Sequence, residues 1–378
     1  TNFSLYINGE KVVEGKDYRK LVCESSDLKN NQTDNEDLYK IYWADTKMEF
    51  SAIAGTSGGS LKALFEMRDG DNLENLKGKI TAADSYSLTI ENTSIENIKA
   101  LNLPPTDGKI TVNNVTYRYD SWEAQVDSEG NIKSMTFKLN QEKAVANPEK
   151  AVAEGYSLNA GSGVNARGIP YYMTQLNEFV RNFSELFNNI ESQGQNLNGD
   201  TPPTFFEGIT EAGKVYDFSE SADYSKLEDG QTATVTSESN TYYRMTAKNF
   251  SVNKDVMNDV SLFATATDYI KTDSCDIVDQ LKKLQSDTTV YRGDKASTFL
   301  ETIISNVSVD TEKADTYNKL YSNLEQTISN QRTSVSGVDE DEEALNLIKY
   351  QNAYNMASKI ISVMNEMLKK LIDETGVS

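Results

Sequence analysis

A chain of 378 residues is too long for one simple core and calls for several domains. Its 37 Lys and Arg against 58 Asp and Glu give a net charge of −21 at pH 7, which argues against a nucleic-acid backbone or an anionic membrane as partner. Histidine is absent, so Ser-His-Asp and Cys-His nucleophiles, HExxH zinc proteases and His-ligated metals are excluded.

The two cysteines, Cys23 and Cys275, lie far apart and are open to pairing in an oxidising compartment or to remaining thiols. No run approaches the roughly 18 apolar residues of a membrane span. The chain enters a strand-like pattern directly from Thr1, without a signal-peptide core, and reads as the interior start of a longer protein.

Residues 1–57 form a small β-rich segment by pattern. Phe3, Leu5 and Ile7 alternate before Asn8-Gly9, and Val12 and Val13 follow, as in a hairpin. Apolar clusters at 38–43 and 48–53 extend the sheet, and GTSGGS at 55–60 breaks it. That stretch lacks the GxxxxGK[ST] spacing of a phosphate loop and is a connector. Residues 58–69 turn helical, with Leu61, Leu64 and Phe65 on one side, and stop at Asp69-Gly70.

From 70 to 167 the strand period returns, which predicts an inserted β-rich outer domain. Leu88 and Ile90 alternate; Ile110 and Val112 lead into Asn113-Asn114, and Val115, Tyr117 and Tyr119 lead out. A second hairpin is expected where Trp122, Ala124 and Val126 precede the loop 127–131. Strand aromatics of this kind usually fill a core.

Residues 168–200 continue the helical domain. Pro170 suits a first turn, and Met173, Leu176, Phe179, Val180, Phe183, Leu186, Phe187 and Ile190 make one broad apolar face fit for a core. Residues 201–254 read as a mixed linker with a short strand at 242–245. The C-terminal region, 255–378, is helical: short helices near 255–266 and 274–286, a tract over 296–333 with a joint at Val309-Asp310, and a final helix from Asp339.

In that last helix Leu347, Tyr350, Tyr354, Ala357, Ile361, Met364, Leu368 and Leu371 recur by alternating threes and fours, the heptad seam of a helix that packs lengthwise on others. Asp339 is the expected N-cap, and the acids of 339–343 favour the positive end of the helix dipole. Lys369 and Lys370 suit the opposite end. The acidic cluster lacks the alternating ligands of an EF-hand loop, so no metal or cofactor is expected, and no carboxylate pair is placed for catalysis. A helix of this length is marginal alone and takes its order from a partner surface.

Two long helices on a short linker predict an antiparallel hairpin. Tyr350 to Ala357 would then pack within the chain, and Ile361 to Leu371 would face other subunits. The predicted fold is α+β and multidomain, with long antiparallel helices forming a bundle-like domain beside a small β domain and the inserted β-rich domain.

Two stretches carry a family resemblance. Ser336, Gly337 and Val338, the acidic cluster, and then Tyr350, Gln351, Ala353 and Tyr354 resemble the C-terminal signature of the axial proteins of the bacterial flagellum. Upstream, GGSLKALFEMRDG with Arg68 and Asp69, and LNEFVRNFSELFNNIESQGQNLNG ending in Leu197, Asn198 and Gly199, are similar to the helical domain of the hook-associated protein 1 family. There the family helix usually runs on without the 70–167 interruption.

The resemblance implies a structural, non-enzymatic component joining hook to filament, exported without a cleaved signal peptide to the extracellular flagellum. Its implied partners are copies of itself, hook protein, another hook-associated protein on the filament side, and an export chaperone on the C-terminal helix. Neither nucleic acid nor membrane is expected as a partner. Hook protein or another hook-associated protein is the alternative within this class. A surface adhesin acting through the insert is the alternative outside it.

Overall fold

The computed structural model describes the chain apart from residues 1–3, 8–9, 34–37, 51–58, 211, 217, 219–223, 225–226, 240, 271–273, 288–294, 338 and 376–378. Phe3, the Asn8-Gly9 turn and most of GTSGGS therefore lie outside the described residues. The chain divides into two compact units, Thr1–Glu301 and Thr302–Ser378. Both helix and strand are abundant, so the molecule is α+β.

In the first unit, β1 (Ser4–Ile7), β2 (Glu10–Glu14) and β3 (Asp17–Tyr18) form an antiparallel sheet, and β4 (Leu21–Ser26) pairs with β5 (Leu38–Trp43). Their small core is Trp43 edge-on to Phe50 at 5.7 Å, joined by Val12, Ile41 and Phe65. Phe65 comes from α1 (Ser60–Asp69), so this helix closes the sheet.

Six strands make a closed antiparallel barrel: β6 (Leu76–Ala83), β7 (Ser87–Glu91), β8 (Gly108–Val112), β9 (Val115–Val126), β10 (Ile132–Leu139) and β11 (Ser157–Ala160). Around the ring the order is β6, β7, β10, β9, β8, β11 and back to β6. The helix α2 (Pro148–Ala153) lies between β10 and β11 in sequence. Asn113 and Asn114, at φ 47° and 63°, make the tight turn from β8 to β9.

The separate runs at 115–119 and 122–126 prove to be one long strand. Tyr117 and Tyr119 face inward, and so do Trp122, Ala124 and Val126, because a register shift between Tyr119 and Ser121 changes the phase of alternation. Tyr119 and Trp122 both donate to the Pro104 carbonyl, at 2.9 and 3.1 Å. Gly108 is required opposite them, since a Cβ there would collide with the Tyr119 ring.

Later chain returns to the barrel. After α3 (Ile169–Glu191) and β12 (Phe206–Gly208), β13 (Ala233–Thr236) adds to β9. Val235 and Tyr243 enter the barrel core, and the Tyr243 hydroxyl donates to the Leu103 carbonyl at 2.6 Å. Residues 242–244 form a 3-10 turn and not the expected strand, because that turn aims Tyr243 at the Trp122 ring, 4.9 Å away. β14 (Phe250–Val252) pairs with β12, followed by α4 (Lys254–Asn258) and α5 (Asp276–Leu284). The helix expected over 255–266 is thus much shorter: Asn253 caps it and Asp259 opens a new turn.

The helix α6 (Ala296–Ser336) is continuous, with no joint at Val309-Asp310: neither Gly nor Pro occurs there to break it. Then α7 (Glu340–Thr375) completes the second unit. It runs past Lys369 and Lys370, which stand before its last turn.

Candidate assembly surface

The end of α6 and the start of α7 are specified residue by residue. Gly337 N–H donates to the Thr333 carbonyl at 2.6 Å, and a Cβ on Gly337 would collide with that same oxygen, so this position takes no side chain. Asp339 then accepts from the backbone N–H of Asp341 at 3.0 Å and of Glu342 at 3.4 Å, which makes it the N-cap of α7. Val338 lies outside the described residues. Glu340 to Glu343 fill the first turn of the helix.

The seam is bare along its whole length. Every described residue from 311 to 374 except Asn346 is exposed, and Tyr350 and Tyr354 are each 73% accessible. Leu347, Ala357, Ile361, Met364, Leu368 and Leu371 are exposed beside them, as are Gln351 and Ala353. The expectation that Tyr350 to Ala357 pack inside an antiparallel hairpin is not met, since all of these residues are exposed. Leu320, Tyr321, Leu324 and Ile328 of α6 are equally open. Helical backbone bonds are satisfied within each helix, so both helices form with their apolar faces exposed.

In the first unit, α3 departs from its pattern. Its buried side is polar: Gln175, Asn177, Arg181, Ser184 and Asn188 face inward, while Phe179, Phe183 and Phe187 are only partly covered. Arg181, 1% exposed, donates to the carbonyls of Met245, Lys99 and Leu101 at 3.1, 2.9 and 2.7 Å and to Gln32 Oε1, and lies 4.5 Å from the Tyr243 ring. Burial lowers it to about 10. Asn188 clamps β12 by donating to the Phe206 carbonyl and accepting from its N–H, at 2.8 and 2.9 Å. The phenylalanine face instead meets Phe205, Phe206 and Phe299 in stacked and tilted pairs. The periodicity located an apolar face but not the side that docks on the barrel.

At the near end of α3 the chain crosses itself. The Gly70 carbonyl accepts from the N–H groups of Gly168 and Tyr171, both at 3.1 Å, and so satisfies two donors at the helix start. A Cβ on Gly168 would lie 2.6 Å from the Met67 carbonyl oxygen, which bars any side chain there. Just before this crossing the Arg68 guanidinium binds Asp69 with two bonds, 2.8 and 2.6 Å, and donates to the Tyr39 carbonyl at 2.8 Å. The motif pair therefore fastens α1 to β5.

The Leu197-Asn198-Gly199 motif works through a residue outside it. Asn196 accepts from the N–H of Asn198 and of Asp200, both 2.9 Å, while Leu197 and Asn198 are exposed. Gly199 sits at φ 84° with the Tyr269 ring 2.8 Å from where a Cβ would be. Nearby, Glu191 is 1% exposed, its Oε1 accepts no hydrogen bond, and burial raises it to about 7. Cys23 and Cys275 are exposed free thiols. Among the described residues no group of three His, Cys, Asp or Glu is placed to hold a metal, and no helix is long and apolar enough to cross a membrane.

Residues 329–374, the end of α6 and nearly all of α7, match the family described as flagellar basal body rod FlgEFG protein C-terminal. This segment is similar to the C-terminal region of flagellar rod proteins. The chain is also 33% identical over 78 residues to flagellar hook-associated protein 1 of Bacillus subtilis (strain 168), a stretch equal to 20% of this chain and 15% of that relative. Together they support a flagellar structural component with a flagellar location, in association with other flagellar components. The matched axial segment contains Gly337, the Asp339 cap and the entire bare seam.

Proposed function

We propose that the chain is a junction protein between flagellar hook and filament, holding its neighbours through lengthwise packing of α7. The observation that carries this reading is the uncovered heptad seam within the flagellar segment. An exposed apolar stripe this long is costly in water and calls for a protein surface. Copies of the same chain, hook protein and a second hook-associated protein are the partners proposed for it. A dedicated chaperone would cover the same seam before export. The likeness to hook-associated protein 1 directs the reading toward the junction, away from rod or hook.

The barrel is proposed as an outer domain of the assembled flagellum. Immunogold labelling with antibodies that recognise the barrel on the full chain tests both points. Label confined to the hook–filament boundary is expected. Label along the hook would transfer the proposal to hook protein, and label on the cell body would end it in favour of an adhesin.

A further inference from the structure

Beside the crossing of Gly70 and Gly168, where the chain enters and leaves the barrel, lies a cavity of about 30 Å³. That is room for one water or one ion. Among its lining residues are Asn30, Asp71, Glu74, Asn75, Asn102 and Thr174, and no Lys or Arg. Asn75 is 8% exposed, and its Oδ1 is buried without a hydrogen-bond partner. Asp71 is held rigidly, accepting from the N–H of Gly163 at 2.8 Å, Val164 at 2.7 Å and Leu73 at 3.2 Å. Glu74 is exposed at the same cavity and offers a path from solvent.

We propose that this cavity binds a divalent cation of calcium's size, with the Asp71 and Glu74 carboxylates and Asn75 Oδ1 among its ligands. All three groups present oxygen, the donor that hard cations take. Together the Asp71 and Glu74 carboxylates match the charge of one divalent ion. Calcium tolerates the irregular geometry of amide and carboxylate oxygens, whereas magnesium demands a near-ideal octahedron and retains waters for which a one-ion cavity has no space.

Such an ion would join the outgoing segment of the neck, at 71–75, to the returning one at 161–164, and stiffen the barrel's attachment to α3. An affinity of about 10⁻⁴ to 10⁻³ M, as in extracellular modules, suits the site.

The test uses the full chain, stripped with chelator and kept at moderate salt so that the net charge is screened. Millimolar Ca²⁺ is expected to raise the thermal midpoint where equal Mg²⁺ does not. Terbium emission sensitised by Tyr171, which lines the cavity, should appear and be displaced by Ca²⁺. Asn75→Leu should abolish both effects. Asn75→Asp, which keeps the shape and adds a ligand charge, should bind Ca²⁺ about tenfold tighter. Equal responses to Ca²⁺ and Mg²⁺, or an unchanged affinity in Asn75→Asp, would overturn the proposal and leave a buried water in the cavity.

Discussion

The barrel and the last helix treat apolar side chains in opposite ways. Leu88, Ile90, Tyr119, Trp122 and Phe137 have no accessible surface, and even a strand from beyond α3 is brought back to complete that core. In α7 the seam from Leu347 to Leu371 is open, although its pattern is as regular as any in the barrel. A strand pairs its backbone only by meeting other strands, so barrel formation and core formation are one event. A helix satisfies its backbone alone and can carry an apolar stripe uncovered until a partner arrives. The barrel thus covers its own apolar side chains, whereas those of α7 are left exposed, which is what the proposed packing against another chain would use.

The sharpest way to break that comparison is at Arg181, which binds α3 to the barrel loops. Arg181→Met leaves several buried acceptors bare, at about 1 to 3 kcal/mol each, and should cost about 3 to 6 kcal/mol in urea denaturation of the first unit. A loss below about 1 kcal/mol would mean that the polar face of α3 does not hold the barrel.

Gly168→Ala comes next. The new methyl meets the Met67 carbonyl, and backbone must move, so a loss of about 1 to 3 kcal/mol is expected. A melting temperature equal to the parent's would show that the crossing is looser than its hydrogen bonds imply.

The hairpins were legible in the sequence because alternation and the Asn113-Asn114 pair are local signals. The helix start at Asp339 was legible for the same reason, whereas the steric need for glycine at 337 appears only in the structure. Three other features were not legible. The phase change inside β9 needs knowledge of which neighbour each half pairs with. The polar docking face of α3 depends on carbonyls of residues 99, 101 and 245, which no local window contains. The bareness of the seam depends on the absence of packing, whereas period alone shows only that a seam exists. Asn196 was overlooked because the exposed Asn198 occupies the motif position, yet the bonds belong to Asn196.

A pH series sharpens the picture at the far end of α3. Burial raises Glu191 to about 7, above the ordinary carboxylate range. Between these values the folded chain holds a proton that the unfolded chain has released. This group's contribution to stability is therefore fully present at low pH and declines as pH rises toward 7. Over that interval the change is about 3 kcal/mol. Glu191→Gln should remove that dependence and be the more stable protein at pH 8. Parallel pH profiles for parent and variant would refute it.

The smallest expected effect on stability is the most informative for assembly. Ile361→Glu puts a charge on the seam at a position that is exposed in the chain. The isolated chain should change by no more than about 0.5 kcal/mol, as at other surface positions. Polymerisation and motility should nevertheless be lost, because a buried intersubunit charge without a partner is severely unfavourable. A Phe137→Ala control should show the reverse, with a loss of about 3 to 5 kcal/mol at a barrel position that no neighbour touches. If Ile361→Glu assembled normally, the seam would not be the contact between subunits, and the exposed faces of α6, at Leu320, Leu324 and Ile328, would take its place as the surface to test.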